Sequence, residues 1–336
     1  MKEKQSLTVI GAGSYGTSLA VAVASKGMPV MLYARDPQKA AKMKEEQMNA
    51  QYLPGIIFPP SLTVTSNLEE AVKFARDILV VVPSESFEKT LKEIKPFWKR
   101  RQRLAWATKG LDSSGELLSK VVMREMTDDE YPILPIAALS GPTFAKELAA
   151  GMPTAIACAG NDEKFVDDMC QMMHTKTFRV YKSHDLVAMQ IGGAVKNVIA
   201  IGAGMSDGLG YGANARTALI SRGLAEMIRL GTALGASERG FMGLSGLGDL
   251  MLTCTDNQSR NRRLGYMLGQ GKRADEALKE IGQAVEGYKM VKVVVGLALK
   301  MGVEMPICSE LYEVLVNHKS GREAARDLLR RDSKSE

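Results

Sequence analysis

The chain has 336 residues, 45% hydrophobic and 24% charged, which suits two domains with real cores and excludes a disordered or low-complexity chain. The net charge of +6 is scattered; its densest clusters, Arg260-Asn261-Arg262-Arg263 and Lys99-Arg100-Arg101, are too short for a nucleic-acid arm and suit a small anion better. Cys158, Cys170, Cys254 and Cys308 form no C-x-x-C and His174, His184 and His318 show no ligand spacing, so free thiols in a reducing cytoplasm and no metal site are expected.

A polar lead runs straight into a strand, so no signal peptide is expected. Residues 6–10 read as a short buried strand. Gly11-Ala12-Gly13-Ser14-Tyr15-Gly16 follows, then an apolar helix ending near Gly27, then a strand over 30–33. Strand, glycine turn, helix and strand stand in the order that dinucleotide binding requires. Gly11 would make the tight turn, Gly13 would let the backbone approach a pyrophosphate, and Gly16 would let helix and strand pack closely. The helix start would offer its N–H groups to the phosphates. The plainer alternative is a glycine turn that only joins strand to helix.

The end of the second strand bears on the choice of cofactor. An NAD site usually places an acid there for the ribose 2′-OH. Here the position falls near Ala34, followed by Arg35-Asp36-Pro37. Asp36 serves equally well as a helix N-cap, and Arg35 suits a 2′-phosphate. NADP(H) is therefore favoured, with NAD(H) admitted; a solvated Arg35 is the alternative.

Further strands are expected over 62–65, 78–82, 104–107, 136–139, 155–158 and 178–181, with helices over 67–75 and 85–94. The unbroken run Ile78-Leu79-Val80-Val81-Val82 suits a parallel strand covered on both faces. Ligands bind outside the carboxyl ends of such strands. Two polar turns fall there: Thr108-Lys109-Gly110, and Ser140-Gly141-Pro142-Thr143, with Pro142 expected to open a helix over 143–149. Lys109 is thus a candidate for the active crevice, or else a surface lysine.

Beyond residue 182 the period-2 runs vanish. Helices are expected over 186–202, 215–234, 262–268, 274–281, 287–301 and 309–316. The fold class is therefore α/β plus all-α: a Rossmann-type doubly wound sheet over 1–182, a helical substrate domain over 183–331, and a frayed tail over 332–336. The first long helix carries Lys196 and Asn197 inside an apolar run with four glycines. A Lys-Asn pair at its centre argues against a membrane span and for a buried helix. On a helix Gly192, Gly193, Ile199 and Ala200 share the Lys196 face, which leaves room for something to approach the amine. A structural lysine paired with a buried carboxylate is the competing explanation. Gly246-Leu247-Gly248-Asp249 places a carboxylate after a glycine turn, where Asp249 would orient Lys196 or cap a helix. Residues 255–263 gather hydroxyl, amide and guanidinium groups at a helix start. That is suitable chemistry for a phosphate monoester, or a solvated helix start.

These segments together resemble the bacterial NAD(P)-dependent sn-glycerol-3-phosphate dehydrogenases over nearly the whole length. The resemblance rests on residues 11–16, Trp106-Ala107-Thr108-Lys109-Gly110, Leu139-Ser140-Gly141-Pro142-Thr143-Phe144-Ala145, Gly193-Ala194-Val195-Lys196-Asn197, Gly246-Leu247-Gly248-Asp249-Leu250 and Asn257-Gln258-Ser259-Arg260-Asn261-Arg262. It implies that Gly11, Gly13, Ser14, Tyr15, Gly16, Arg35, Lys109, Ala145, Arg260, Ala284 and Glu286 hold the dinucleotide. It also implies that Lys109, Gly141, Thr143, Lys196, Asp249, Ser259, Arg260 and Asn261 line dihydroxyacetone phosphate or sn-glycerol 3-phosphate, with Lys196 as acid and base. Ala284 is smaller than the aliphatic residue expected there. A homodimer with no metal, no nucleic-acid partner and no integral membrane segment is implied as well. Two rivals remain: a reductase of the same two-domain type acting on a hydroxy acid or ketopantoate-like substrate, and a dinucleotide sensor without chemistry.

Overall fold

A computed structural model of the chain describes residues 5–330; the tail expected over 332–336 lies outside the described residues. The chain divides into two compact units. The first comprises residues 1–112 and 116–186, and the second residues 113–115 and 187–336.

The first unit alternates strand and helix: β1 (Leu7–Ile10), α1 (Ser14–Ala24), β2 (Val30–Tyr33), α2 (Pro37–Glu46), β3 (Leu62–Thr65), α3 (Leu68–Phe74), β4 (Asp77–Val80), α4 (Phe87–Ile94), β5 (Arg103–Trp106), α5 (Leu118–Met126), β6 (Ile136–Ser140), α6 (Ala145–Ala149), β7 (Thr154–Gly160), α7 (Glu163–Met173) and β8 (Phe178–Lys182). The strands form one sheet in the order β3-β2-β1-β4-β5-β6-β7-β8. All neighbours are parallel except β6 and β7. The order reverses at β1, where Val9 stands beside both Leu32 of β2 and Leu79 of β4. β1 and β4 are buried along their whole length, as covered parallel strands must be.

The amino ends of β4 and β5 are tied by charge. Arg103 donates from Nε to Asp77 at 2.6 Å and from NH2 to the same carboxylate at 2.9 Å, while NH1 reaches Asp168 of α7 at 2.6 Å. The guanidinium also stands 4.4 Å from the centroid of Phe165. This cluster sits at the strand ends opposite those that carry the glycine turn.

One expected helix starts late. Pro142 does not open it. Gly141 has φ +156, and its bare Cα backs onto Ile156 of β7; Phe144 remains extended. The chain therefore runs on without helical turn until Ala145, and α6 keeps only five residues.

The second unit is helical: α8 (Leu186–Gly208), α9 (Ala213–Ala233), a 3-10 turn (Glu238–Met242), a π-helical turn (Leu244–Gly248), α10 (Asp249–Thr255), α11 (Arg260–Gly269), α12 (Ala274–Ile281), α13 (Glu286–Met301), α14 (Pro306–Val316) and α15 (Gly321–Leu329). α8 is long and apolar enough to cross a bilayer, but 89% of its most apolar window is buried inside the protein. Its glycines explain how. A Cβ on Gly204 would strike the Arg262 carbonyl, and one on Gly265 of α11 would strike the Ile201 carbonyl. The two helices thus cross backbone against backbone, an approach that larger side chains forbid.

Candidate functional site

In the first unit the glycine segment behaves as a cradle. Gly11 has φ +119, and a Cβ there would collide with the Val81 carbonyl. A Cβ on Gly16 would collide with the Gly11 carbonyl, so Gly16 serves close packing. Gly13 differs from both: no heavy atom lies within 4 Å of where its Cβ would stand. It caps α1 with backbone only, and Ser14, Tyr15 and Gly16 form the first turn behind it, where N–H groups lack intrahelical acceptors. The space beside Gly13 opens into a cleft of about 980 Å³ lined by Gly11, Ala12, Gly13, Tyr33, Arg35 and Val82 among others. Open room, a bare backbone and a helix start fit the pyrophosphate of a dinucleotide.

Asp36 is a cap. Its Oδ1 accepts from the N–H of Gln38 at 2.9 Å and of Lys39 at 3.2 Å. Arg35 is exposed on the cleft wall. Lys109 is half-buried; its Nζ donates to the Gly141 carbonyl at 2.9 Å and stands 5.4 Å from the Tyr15 ring centroid. Thr143 Oγ1 donates to the same carbonyl at 3.2 Å. The structure thus brings Tyr15, Lys109, Gly141 and Thr143 together at the carboxyl ends of β5 and β6. Ala145 follows as the first residue of α6.

In the second unit the constellation centres on Lys196, which is 5% exposed. Its Nζ donates to Asp249 Oδ1 at 2.5 Å and to Thr253 Oγ1 at 3.1 Å. Asp249 is 1% exposed and is the first residue of α10, after the N-cap Gly248. It reaches the amine because the Gly246-Gly248 segment is a π-helical turn running straight into α10, rather than the plain glycine turn expected. Gly192 permits that approach, since a Cβ there would lie only 2.7 Å from the Ser245 carbonyl oxygen. The room expected beside the lysine on this side is therefore occupied by the segment that delivers its carboxylate. Thr253 was not foreseen. Its spacing of four from Asp249 on one helix face was the available signal.

The start of α11 is buried, not solvated. Ser259 Oγ caps it by accepting from the Arg262 N–H at 3.2 Å. Asn261 is held on both sides: Nδ2 donates to Asn197 Oδ1 at 2.9 Å, and Oδ1 accepts from the Gly287 N–H at 2.9 Å. The residue beside the lysine is thereby tied to the starts of α11 and α13. Arg262 anchors the loop before the helix, donating to Cys254 O at 3.1 Å, to Asp207 Oδ2 at 2.5 Å and to Asn257 Oδ1. Burial pulls the Arg260 guanidinium below its usual pKa, against the opposing field of Glu286 at the start of α13. Ala284 is exposed in the loop before that helix. A cavity of about 1720 Å³ among α8, α9, α14 and α15 contains none of these residues; volume alone does not mark the chemistry.

Two family models match: the NAD-dependent glycerol-3-phosphate dehydrogenase N-terminus over residues 6–166 and the C-terminus of the same family over residues 185–326. The chain is 56% identical to a glycerol-3-phosphate dehydrogenase [NAD(P)+] of Tolumonas auensis, covering all of both chains. It is 58% identical to one of Vibrio vulnificus, covering 98% of this chain and 95% of the relative. The crystal structure of glycerol-3-phosphate dehydrogenase from Coxiella burnetii is similar with a TM-score of 0.93 and 42% identity, over 98% of this chain and 99% of that one.

Proposed function

The chain belongs to the NAD-dependent glycerol-3-phosphate dehydrogenase family, and from that membership we propose that it reversibly reduces dihydroxyacetone phosphate to sn-glycerol 3-phosphate, with Lys196 as acid and base. The observation that supports this most is the buried Lys196–Asp249–Thr253 triad on helices tied to the start of α11 through Asn197 and Asn261. An amine meant only to stabilise the fold needs no such connection to an anion-ready helix end.

The reduced nicotinamide, when bound, supplies the hydride that goes to the C2 carbonyl. The chain's own residues do the rest. Gly11, Gly13, Ser14, Tyr15 and Gly16 seat the dinucleotide, with Arg35 on the 2′-phosphate, so NADP(H) is favoured and NAD(H) admitted. Ala145, Ala284, Glu286 and Arg260 make the later contacts. The N–H groups opening α11 and the Arg260 guanidinium receive the substrate phosphate, together with Ser259 and Asn261 through their backbone. Lys109, Gly141 and Thr143 line the substrate. The Lys196 ammonium stabilises the negative charge growing on the C2 oxygen and delivers its proton there. Asp249 balances the ammonium in its buried setting, and both it and Thr253 fix its direction. In oxidation Lys196 takes the proton from the C2 hydroxyl.

The product is the glycerol backbone that phospholipid synthesis consumes. A cytoplasmic enzyme accords with four free cysteines. The apolar groove among α9, α14 and α15 accords with a homodimer, which sedimentation would test. Following NADPH absorbance with dihydroxyacetone phosphate and with dihydroxyacetone tests the function. Turnover of the phosphate ester alone is expected. Equal turnover of both would remove the phosphate site, and no turnover of either would leave a dinucleotide binder.

A further inference from the structure

The cleft of the first unit contains more uncommitted positive charge than Arg35 alone. Arg35, just before α2, and Lys39, Lys42 and Glu46 along α2 all line it, spaced four, three and four. Lys42 is engaged by Glu46 at 3.6 Å. Glu93 of α4 lines the cleft as well and is engaged by Lys89 at 3.8 Å. Arg35 and Lys39 are different. Both are exposed, and among the described residues neither side chain has a hydrogen-bond or ion-pair partner. The backbone between them is fixed, because Asp36 holds the N–H groups of Gln38 and Lys39. The same bonds turn the Asp36 carboxylate to the helix end.

We propose that Lys39, in the first turn of α2 and four residues beyond Arg35, is a second ligand for the 2′-phosphate of NADP(H), so that cofactor choice is set by two cations lining one cleft. The inference rests on the reading that Arg35 contacts that phosphate. A phosphate monoester carries about two negative charges at neutral pH, and one guanidinium balances only half of that. The division of labour follows from side-chain chemistry. Arg35 offers a planar fork for two oxygens, and Lys39 a compact charge on a flexible stem that follows the third. β2 ends at Tyr33 and Ala34 follows it, so no acid at that point opposes the phosphate.

Calorimetric titration of the whole enzyme tests this, with NADPH, NADH, 2′,5′-ADP and 5′-AMP as probes and Lys39→Ala, Lys39→Arg and Arg35→Ala as variants. Lys39→Ala is expected to weaken NADPH and 2′,5′-ADP by about five- to twentyfold, the loss of one charge-assisted contact. It should leave NADH and 5′-AMP within about twofold by the same arithmetic. Lys39→Arg restores most of the loss. If Arg35→Ala weakens NADPH selectively while Lys39→Ala changes nothing, or weakens all four probes alike, Lys39 is no phosphate ligand and Arg35 acts alone. If the unaltered enzyme binds 2′,5′-ADP no tighter than 5′-AMP, the Arg35 contact itself is wrong and the Lys39 contact falls with it.

Discussion

Gly13→Ala separates a dinucleotide cradle from a plain glycine turn. The backbone at Gly13 has φ −75 and ψ −179, which alanine adopts without strain. No heavy atom lies within 4 Å of the new methyl, so the folded chain accepts it. The cost to folding is that of a poorer N-cap, about 1 kcal/mol or less, or a shift of roughly 2–4 °C in Tm for a domain of this size. The pyrophosphate is affected far more. A methyl on the open side holds the phosphates away from the N–H groups of the first turn. Losing one or two charge-assisted bonds of about 1.5–3 kcal/mol each weakens NADPH by at least about tenfold. Gly16→Ala provides the contrast. Its methyl meets the Gly11 carbonyl at impossibly short range, so it strains the fold itself by about 1–3 kcal/mol. Fluorescence titration of NADPH beside a melting curve reads both quantities. Wild-type NADPH affinity in Gly13→Ala would refute the cradle.

Arg103→Ala leaves the nearly buried Asp77 carboxylate without its bidentate partner; chemical denaturation should show a loss of about 3–5 kcal/mol, with KM for dihydroxyacetone phosphate unchanged in the folded fraction. Glu226 is 1% exposed and accepts from the N–H groups of Ile307 and Cys308. Burial pushes its carboxyl above the ordinary 4.5, partly opposed by those bonds. The folded chain therefore binds this proton more tightly than the unfolded chain. Its contribution is fully present below pH 4.5 and is lost as pH rises through the raised folded value. Subtracting the Glu226→Gln stability profile from that of the unaltered protein should leave a curve falling with pH in that window; a rising curve would contradict the assignment.

The sheet was legible because its strands are short runs of branched apolar residues, and covered parallel strands need little else. The glycine fingerprint marked the first strand–turn–helix–strand unit for the same local reason. The misjudged elements are those decided by contacts distant in sequence. Pro142 looked like a helix opener until Gly141 was seen against Ile156. The Gly246-Gly248 segment looked like a turn, yet it is π-helical and packs against Gly192, where a Cβ would crowd the Ser245 carbonyl. Within the candidate site, residue types announced themselves and their partners did not. Asp249 was expected near Lys196, but Thr253 was overlooked. The bonds joining Asn197, Asn261 and Gly287 span 64 and 26 positions, and no spacing rule reaches that far.

The most direct measurement is kcat for dihydroxyacetone phosphate reduction by Lys196→Met, which keeps the aliphatic stem beside Asp249 and removes the ammonium. NADPH binding, followed on the same sample, shows that the first unit is intact. The proposed role predicts a fall of about a hundred- to ten-thousand-fold with NADPH affinity retained. A folded variant turning over within a few-fold of the unaltered protein would mean that the proton comes from elsewhere.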